Sequence, residues 1–166
     1  IEIFNKYGLK CTFNLNSELL GKPGELNMAG KKVAHNKIDP SEVRELYKGH
    51  EVAVHTLTHP LLPKIEDEGE IIRQVEQDRL NLSELVGYEV KGLAYPCAPP
   101  NCDRRVADII KYNTGIKYAR SFNVTGSFEP CKDLYMYEGT MSHWENWDEF
   151  WEKGEEFIKS ENCLIA

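Results

Sequence analysis

Two histidines separated by four positions, His55 and His59, stand in the segment HTLTHP at residues 55–60. Imidazole nitrogens are good zinc ligands, and one helical turn would bring positions i and i+4 to the same side. The proline directly after His59 keeps such a turn short. Isolated histidines at the surface or in the core are also common, so the spacing by itself leaves two interpretations open, a metal site or two unrelated side chains.

The residues before His55 indicate where this pair lies in the fold. Residues 52–54 form a short apolar run, Val-Ala-Val, which predicts a buried strand that ends at His55. In α/β proteins, ligands bind at the carboxyl ends of parallel strands. The position of His55 at such an end therefore favours the metal-site interpretation.

The whole chain alternates strand patterns and helix patterns with short connections. This alternation predicts a parallel sheet covered by helices, either as a barrel or as a doubly wound sheet. Residues 21–37, which contain Gly, Pro, Asn and Lys with weak periodicity, predict a surface excursion. The predicted strands are residues 10–15, 52–54, 92–95, 117–120 and 133–137, and the predicted helices are residues 39–49, 66–86, 103–115 and 144–158.

Composition and charge limit the classes of partner. The chain has 166 residues, of which 41% are hydrophobic and 28% are charged, as is typical of one globular domain. Its net charge of −7 argues against nucleic acid and against an anionic membrane surface. No apolar run approaches the roughly 18 residues of a membrane span. Five cysteines, an odd number spread along the chain, favour free thiols and a reducing compartment such as the cytoplasm.

The segment GHEVAVHTLTHP at residues 49–60 resembles the second motif of the polysaccharide deacetylases, carbohydrate esterase family four. In that family a strand leads into His-(Ser/Thr)-x-x-His-Pro, and both histidines bind a metal. Residues 6–13, 92–96 and 115–120 are similar to further segments of the family. The resemblance extends from residue 1 to about residue 160, and the His-Pro segment is its most specific part.

This resemblance implies a fold, a reaction and a cofactor. The fold is an α/β architecture, a distorted and incomplete (β/α) barrel. The reaction is hydrolysis of N-acetyl or O-acetyl groups on an acetylated carbohydrate substrate, with N-acetyl groups favoured. The cofactor is a divalent metal, with zinc favoured, held by His55 and His59 together with an aspartate. In the family an aspartate base, a main-chain oxyanion donor and a histidine acid complete the machinery.

The third motif of the family departs from its usual form in this chain. The family pattern Arg-x-Pro-Tyr is replaced by Ala-Tyr-Pro-Cys at residues 94–97. The usual arginine is therefore missing, and Cys97 occupies the position whose main-chain N–H faces the oxyanion in the family. Because a main-chain N–H survives a change of side chain, Cys97 remains a candidate for substrate binding. Tyr95 is a second candidate, and Arg120 on the following strand is a candidate replacement for the lost positive charge.

The first and last motifs of the family are missing from residues 1–166. The first motif supplies both aspartates and the last supplies the acid histidine, so we expect a single domain truncated at both ends. His143 is the candidate catalytic acid within the chain, with a helix-capping or surface histidine as the alternative. Trp144, beside it, is a candidate for stacking on a sugar ring, although a packed aromatic residue is the competing interpretation.

Three functions are therefore compatible with the sequence. The favoured one is a metal-dependent hydrolase that removes acetyl groups from a carbohydrate. The second is a degenerate member of the family that binds acetylated sugar without hydrolysing it. The third is a scaffold whose histidines hold a structural metal. Zinc content and release of acetate from an acetylated sugar distinguish the three.

Overall fold

The chain folds around a five-stranded parallel sheet. A computed structural model describes residues 1–142 and 146–160. The sheet has the strand order β1-β4-β5-β6-β7, and each neighbouring pair is parallel. Its strands are β1 (Thr12–Leu15), β4 (Glu51–Val54), β5 (Gly92–Ala94), β6 (Tyr118–Val124) and β7 (Tyr137–Gly139). This arrangement confirms the predicted α/β class.

Strands β4 and β5 are buried because their side chains are apolar or small. Val52, Ala53 and Val54 of β4 and Leu93 of β5 are at most 1% exposed. Such nearly continuous apolar runs are typical of parallel strands covered on both faces. The helices are α1 (Glu2–Lys6), α2 (Val43–Leu46), α3 (Glu68–Ile72), α4 (Asp78–Val86), α5 (Arg104–Asn113) and α6 (Trp147–Lys159), with a π-helical segment at Arg73–Gln77 between α3 and α4.

The long predicted helix over residues 66–86 is present in three parts. It begins at α3, where the Asp67 side chain accepts a hydrogen bond from the N–H of Gly69 and so caps the first turn. It continues through the π-helical segment into α4 and ends at Gly87, whose φ of 80° is the left-handed conformation that glycine adopts readily. Residues on this helix and on α5 pack on the sheet and form the core with it.

Two predicted elements differ from the observed ones. The predicted surface excursion at residues 21–37 contains an exposed antiparallel hairpin, β2 (Glu25–Met28) with β3 (Lys31–Ala34). The predicted strand at residues 133–137 begins only at Tyr137, because the Asp133 carboxylate accepts the N–H of Tyr135 and holds a turn there. Among the described residues, no helix is long and apolar enough to cross a membrane.

Candidate functional site

A cavity of about 550 Å³ opens beside the carboxyl ends of β4 and β5 and the middle of β6, and is flanked by β1. Ligands of parallel α/β folds gather at this edge of the sheet. Strand register sets the neighbours at the edge, since Ala94 pairs with Arg120 and the N–H of Tyr95 donates to the carbonyl of Arg120. The lining residues are Thr12, Phe13, Asn14, His55, His59, Tyr95, Cys97, Arg120, Ser121 and Phe122.

The two histidines of the His-Pro segment share this cavity. The ring centroids of His55 and His59 lie 4.7 Å apart, and the rings are nearly perpendicular. His55 Nδ1 lies 2.7 Å from the carbonyl oxygen of Ala94. Since a carbonyl only accepts, Nδ1 carries the proton and donates it, which leaves the lone pair on His55 Nε2. This is the arrangement by which metal-binding histidines are usually oriented.

Both histidines are held in the neutral form. Burial lowers the pKa of His55 to about 4, against the opposing hydrogen bond to Ala94, and nearby positive charges such as Arg120 and Lys37 act in the same direction as burial. Partial burial also lowers the pKa of His59. A neutral imidazole is the form that ligates a metal, so the site favours ligation at neutral pH.

The two histidines are joined by a turn in which Thr56 and His59 have left-handed backbone, with φ values of 66° and 65°. A right-handed helical turn contains no such values, so the histidines do not meet through the helical turn that their spacing would allow. The N–H of His59 donates to the Thr56 hydroxyl at 3.0 Å, and this bond closes the turn within the motif. Left-handed backbone at residues other than glycine costs energy and concentrates at functional sites.

Three polar side chains from outside the motif hold this turn, and sequence reasoning missed them. Asn16 donates to the carbonyls of His55 and Thr56 at 2.5 and 2.9 Å. Gln74 accepts the N–H of Thr58 at 3.2 Å, and the Asp78 carboxylate accepts the N–H of His55 at 3.2 Å. A signal for two of them exists, because Gln74 and Asp78 lie at helical spacing among the apolar residues Ile71, Val75 and Leu82, where polar residues are unexpected.

The residues of the third motif take three different positions around the cavity. Cys97 has a left-handed φ of 72°, and its Sγ lies 3.8 Å from His59 Nδ1. Tyr95 is 3% exposed and its hydroxyl donates to the carbonyl of Tyr135, so the phenol is used inside the protein, where burial raises its pKa. Arg120 is exposed at the mouth of the cavity.

The structure thus brings together five of the seven residues that the sequence singles out: His55, His59, Tyr95, Cys97 and Arg120. His143 and Trp144 lie outside the described residues. The functional roles assigned to all seven stay predictions.

The histidine pair fits a metal as two neutral nitrogen donors, one of them fixed in orientation by Ala94. Within residues 1–142 and 146–160, no three His, Cys, Asp or Glu side chains form a group that could hold a metal ion. None of the residues lining the cavity in that part of the chain is Asp or Glu. Of the three ligands that the family resemblance implies, the described residues place two candidates, His55 and His59, at this cavity.

Comparison with known families gives the class of this protein. The sequence profile described as polysaccharide deacetylase matches residues 1–117. The match covers more than half of the chain, and the chain belongs to the polysaccharide deacetylase family. A comparison with curated proteins found no match.

Three solved structures with a similar fold are deacetylases. A polysaccharide deacetylase from Bacillus cereus is 17% identical with a TM-score of 0.62, and the match covers 86% of this chain and 40% of that one. A de-N-acetylase from Aggregatibacter actinomycetemcomitans is 14% identical with a TM-score of 0.66, over 92% of this chain and 68% of that one. A Streptococcus pyogenes deacetylase in complex with acetate is 18% identical with a TM-score of 0.56, over 74% of this chain and 49% of that one.

These likenesses confirm the predicted fold, an incomplete (β/α) barrel. At such low identities they concern the fold alone. The chain spans less than half of the length of the Bacillus cereus and Streptococcus pyogenes structures.

Proposed function

We propose that the protein is a metal-dependent deacetylase that removes acetyl groups from a carbohydrate, with N-acetyl groups as the favoured substrate. Membership of the polysaccharide deacetylase family supports the reaction class and an acetylated carbohydrate as substrate. The observation that carries the metal requirement is the histidine pair. His55 donates from Nδ1 to Ala94, its pKa is lowered to about 4, and the His59 ring lies beside it at the same cavity, with 4.7 Å between the ring centroids.

His55 and His59 would hold the metal, and zinc is the favoured ion because imidazole nitrogens suit it. When bound, such a metal supplies Lewis-acid polarisation of a carbonyl and acidification of a water molecule. The left-handed backbone of Cys97 lies at the same cavity, and its main-chain N–H is the candidate donor to the developing oxyanion. Arg120 lines the cavity and adds positive charge there, which would favour negative charge that develops in the reaction.

The metal requirement is tested on the 166-residue chain by measuring zinc content after dialysis against a trace of zinc. We expect bound zinc in the wild type and its loss in both His55→Ala and His59→Ala. His35→Ala removes an exposed histidine that does not line the cavity and serves as the matched control. Equal zinc in all four proteins would contradict the assignment.

The reaction is tested separately by acetate release from N-acetylglucosamine oligomers, with zinc and cobalt both supplied. Release that disappears in His55→Ala supports the deacetylase. One observation favours a second function, sugar binding without catalysis: no carboxylate lines the cavity within the described residues to act as a base. Binding of the oligomer without acetate release, measured by shifts in an NMR spectrum, would support that alternative.

A further inference from the structure

Asp78 is a buried carboxylate in an unusual position behind the histidine pair. It is the first residue of α4 and its exposed fraction is 0%. Its Oδ1 accepts the N–H of Ser17 at 2.7 Å, and its Oδ2 accepts the N–H of His55 at 3.2 Å. The N–H of His55 is shared with the carbonyl of Leu15 at 2.9 Å. The carboxylate therefore joins the segment after β1 to the end of β4.

This carboxylate is not part of an ion pair in the part of the chain that the structure describes, where every Asp or Glu salt bridge involves another residue. Burial of a carboxylate without a cation is unfavourable unless hydrogen bonds compensate. Asp78 bonds to two main-chain N–H groups, one of them from His55, and to the side chain of Ser17. If His55 moved, the buried carboxylate would lose one of the hydrogen bonds that compensate for the free-energy cost of its burial.

Gln74 lies four residues before Asp78 and holds the other half of the turn. It is 3% exposed, its Oε1 accepts the N–H of Thr58 at 3.2 Å, and its main-chain carbonyl accepts the N–H of Leu57 at 3.0 Å. Its Nε2 donates to Glu70, which fixes the amide orientation. Gln74 and Asp78 therefore bond to three of the four residues from His55 to Thr58, namely His55, Leu57 and Thr58.

The π-helical segment Arg73–Gln77 contains Gln74 and ends at the residue before Asp78. A π turn inserts one extra residue in a helix and is frequent at functional sites. Val75 within the segment, and Ile71 and Leu82 on either side of it, stay in the core. The helix thus continues to pack on the sheet while two polar side chains of its buried face reach the His-Pro turn.

We propose that Asp78 is a positioning residue of the candidate metal site, and that with Gln74 it holds the left-handed turn in which both imidazoles face the cavity. Neither residue lines the cavity, so neither touches a substrate there. Second-layer groups of this kind act by fixing the orientation of ligands. The inference rests on the proposed metal site, but the position of the turn can be measured without metal.

The test is Asp78→Asn, which keeps the shape and replaces one acceptor oxygen by an NH₂ group that cannot accept. We expect zinc affinity measured by calorimetry to fall about 10- to 100-fold, as for other outer-layer partners of metal ligands. Asp67→Asn removes the same charge at the exposed cap of α3 and should leave zinc affinity unchanged. Leu82→Ala removes core packing from the same helix, so we expect it to lower stability without changing zinc affinity.

A second measurement uses metal-free protein and the ¹⁵N shifts of the imidazoles. We expect Asp78→Asn to move the resonances of His55 and His59, and Asp67→Asn to leave them in place. Gln74→Met, which keeps the volume but removes the acceptor for Thr58, gives a second route if Asp78→Asn does not fold, and we expect it to move the same resonances.

Particular outcomes overturn the inference. If the wild type binds zinc and Asp78→Asn binds it equally well, Asp78 does not position the site. The same holds if Leu82→Ala weakens zinc binding as much as Asp78→Asn does. If the wild type binds no zinc, the proposed metal site fails, and the metal-free spectra then decide alone: unchanged imidazole resonances in Asp78→Asn and Gln74→Met overturn the positioning role.

Discussion

At the scale of single residues, the candidate site is built from backbone conformations that only glycine adopts freely. Thr56, His59 and Cys97 all have positive φ, and all three lie at or beside the cavity. Each such residue is held by its surroundings against its own preference. At Cys97 the conformation also determines where the main-chain N–H points, which is the group that the proposed reaction uses.

Cys97→Gly tests how much strain this position holds. A left-handed residue with a Cβ costs about 1–2 kcal/mol, whereas glycine adds about 0.5–1 kcal/mol of conformational entropy to the unfolded chain. We therefore expect the free energy of unfolding, measured in urea, to rise by up to about 1 kcal/mol. The variant keeps the N–H at residue 97, so function should survive. A clear loss of stability would show that the Cys97 side chain contributes more packing than its backbone costs.

At the scale of elements, α3 carries an acid-sensitive interaction. The Glu70 carboxylate accepts two hydrogen bonds from Arg73, at 2.7 and 2.9 Å, and one from Gln74 at 2.9 Å. These bonds lower the pKa of Glu70 from 4.5 to about 2. The folded state therefore prefers the ionised carboxylate more strongly than the unfolded state does.

The sign of the resulting pH dependence follows from this lowered pKa. The contribution of Glu70 to stability is fully present above about pH 4.5 and is lost as the pH falls towards 2. Because the group is near the surface, we expect no more than about 1 kcal/mol from it. Glu70→Gln should have a flatter stability curve over that window in urea unfolding at several pH values. If the free energy of unfolding of Glu70→Gln fell with pH as steeply as that of the wild type, other groups would account for the loss of stability in acid.

The contact between β5 and β6 depends on a glycine. A Cβ built at Gly92 would lie 2.2 Å from the Tyr118 hydroxyl and 2.4 Å from its Cζ. The tyrosine would have to move, although its hydroxyl donates to Glu51 on β4. We expect Gly92→Ala to lower the free energy of unfolding by about 1–3 kcal/mol, measured in urea.

Gly154 in α6 offers the matched control for this substitution. A Cβ there meets no atom within 4 Å, so Gly154→Ala should raise stability by about 0.5–1 kcal/mol through helix propensity. The loss in Gly92→Ala should also shrink in a Tyr118→Ala background, since the clash is then removed. A loss that is the same in both backgrounds would contradict the steric explanation.

At the scale of the whole molecule, the described sheet is open, and β1 forms one of its edges. The carbonyls of Cys11 and Leu15 accept bonds from Glu51 of β4 and from His55 directly after it, so the main-chain groups of the alternate residues Thr12 and Asn14 face away from the sheet. An open strand edge is a template for pairing with another strand.

We therefore expect the 166-residue chain, expressed by itself, to self-associate in a concentration-dependent way in sedimentation velocity. Lysine on an edge strand opposes such pairing, so Thr12→Lys should reduce the association. A chain that stays monomeric at every concentration and unfolds in one cooperative transition would show that the edge is adequately protected.

Much of this fold could be predicted from local patterns. Three local signals act on their immediate neighbours, so their effects can be predicted from the sequence. They are the apolar run before His55, the capping carboxylate before α5 and the glycine after α4. The start of β7 could not be predicted in this way. The Asp133 side chain accepts the main-chain N–H of Tyr135, and the strand therefore begins only at Tyr137.

By itself, the sequence determined the class of protein and the histidine pair, because the His-Pro motif and the alternation of elements are local signals. Only the tertiary structure decided how the two histidines meet. Their turn is left-handed because Asn16, Gln74 and Asp78, which lie 16 to 40 residues from their partners in the turn, supply its hydrogen bonds. Contacts over such separations follow from the pairing of β1 with β4 and from packing of the helix on the sheet, and no local pattern within residues 55–60 encodes them.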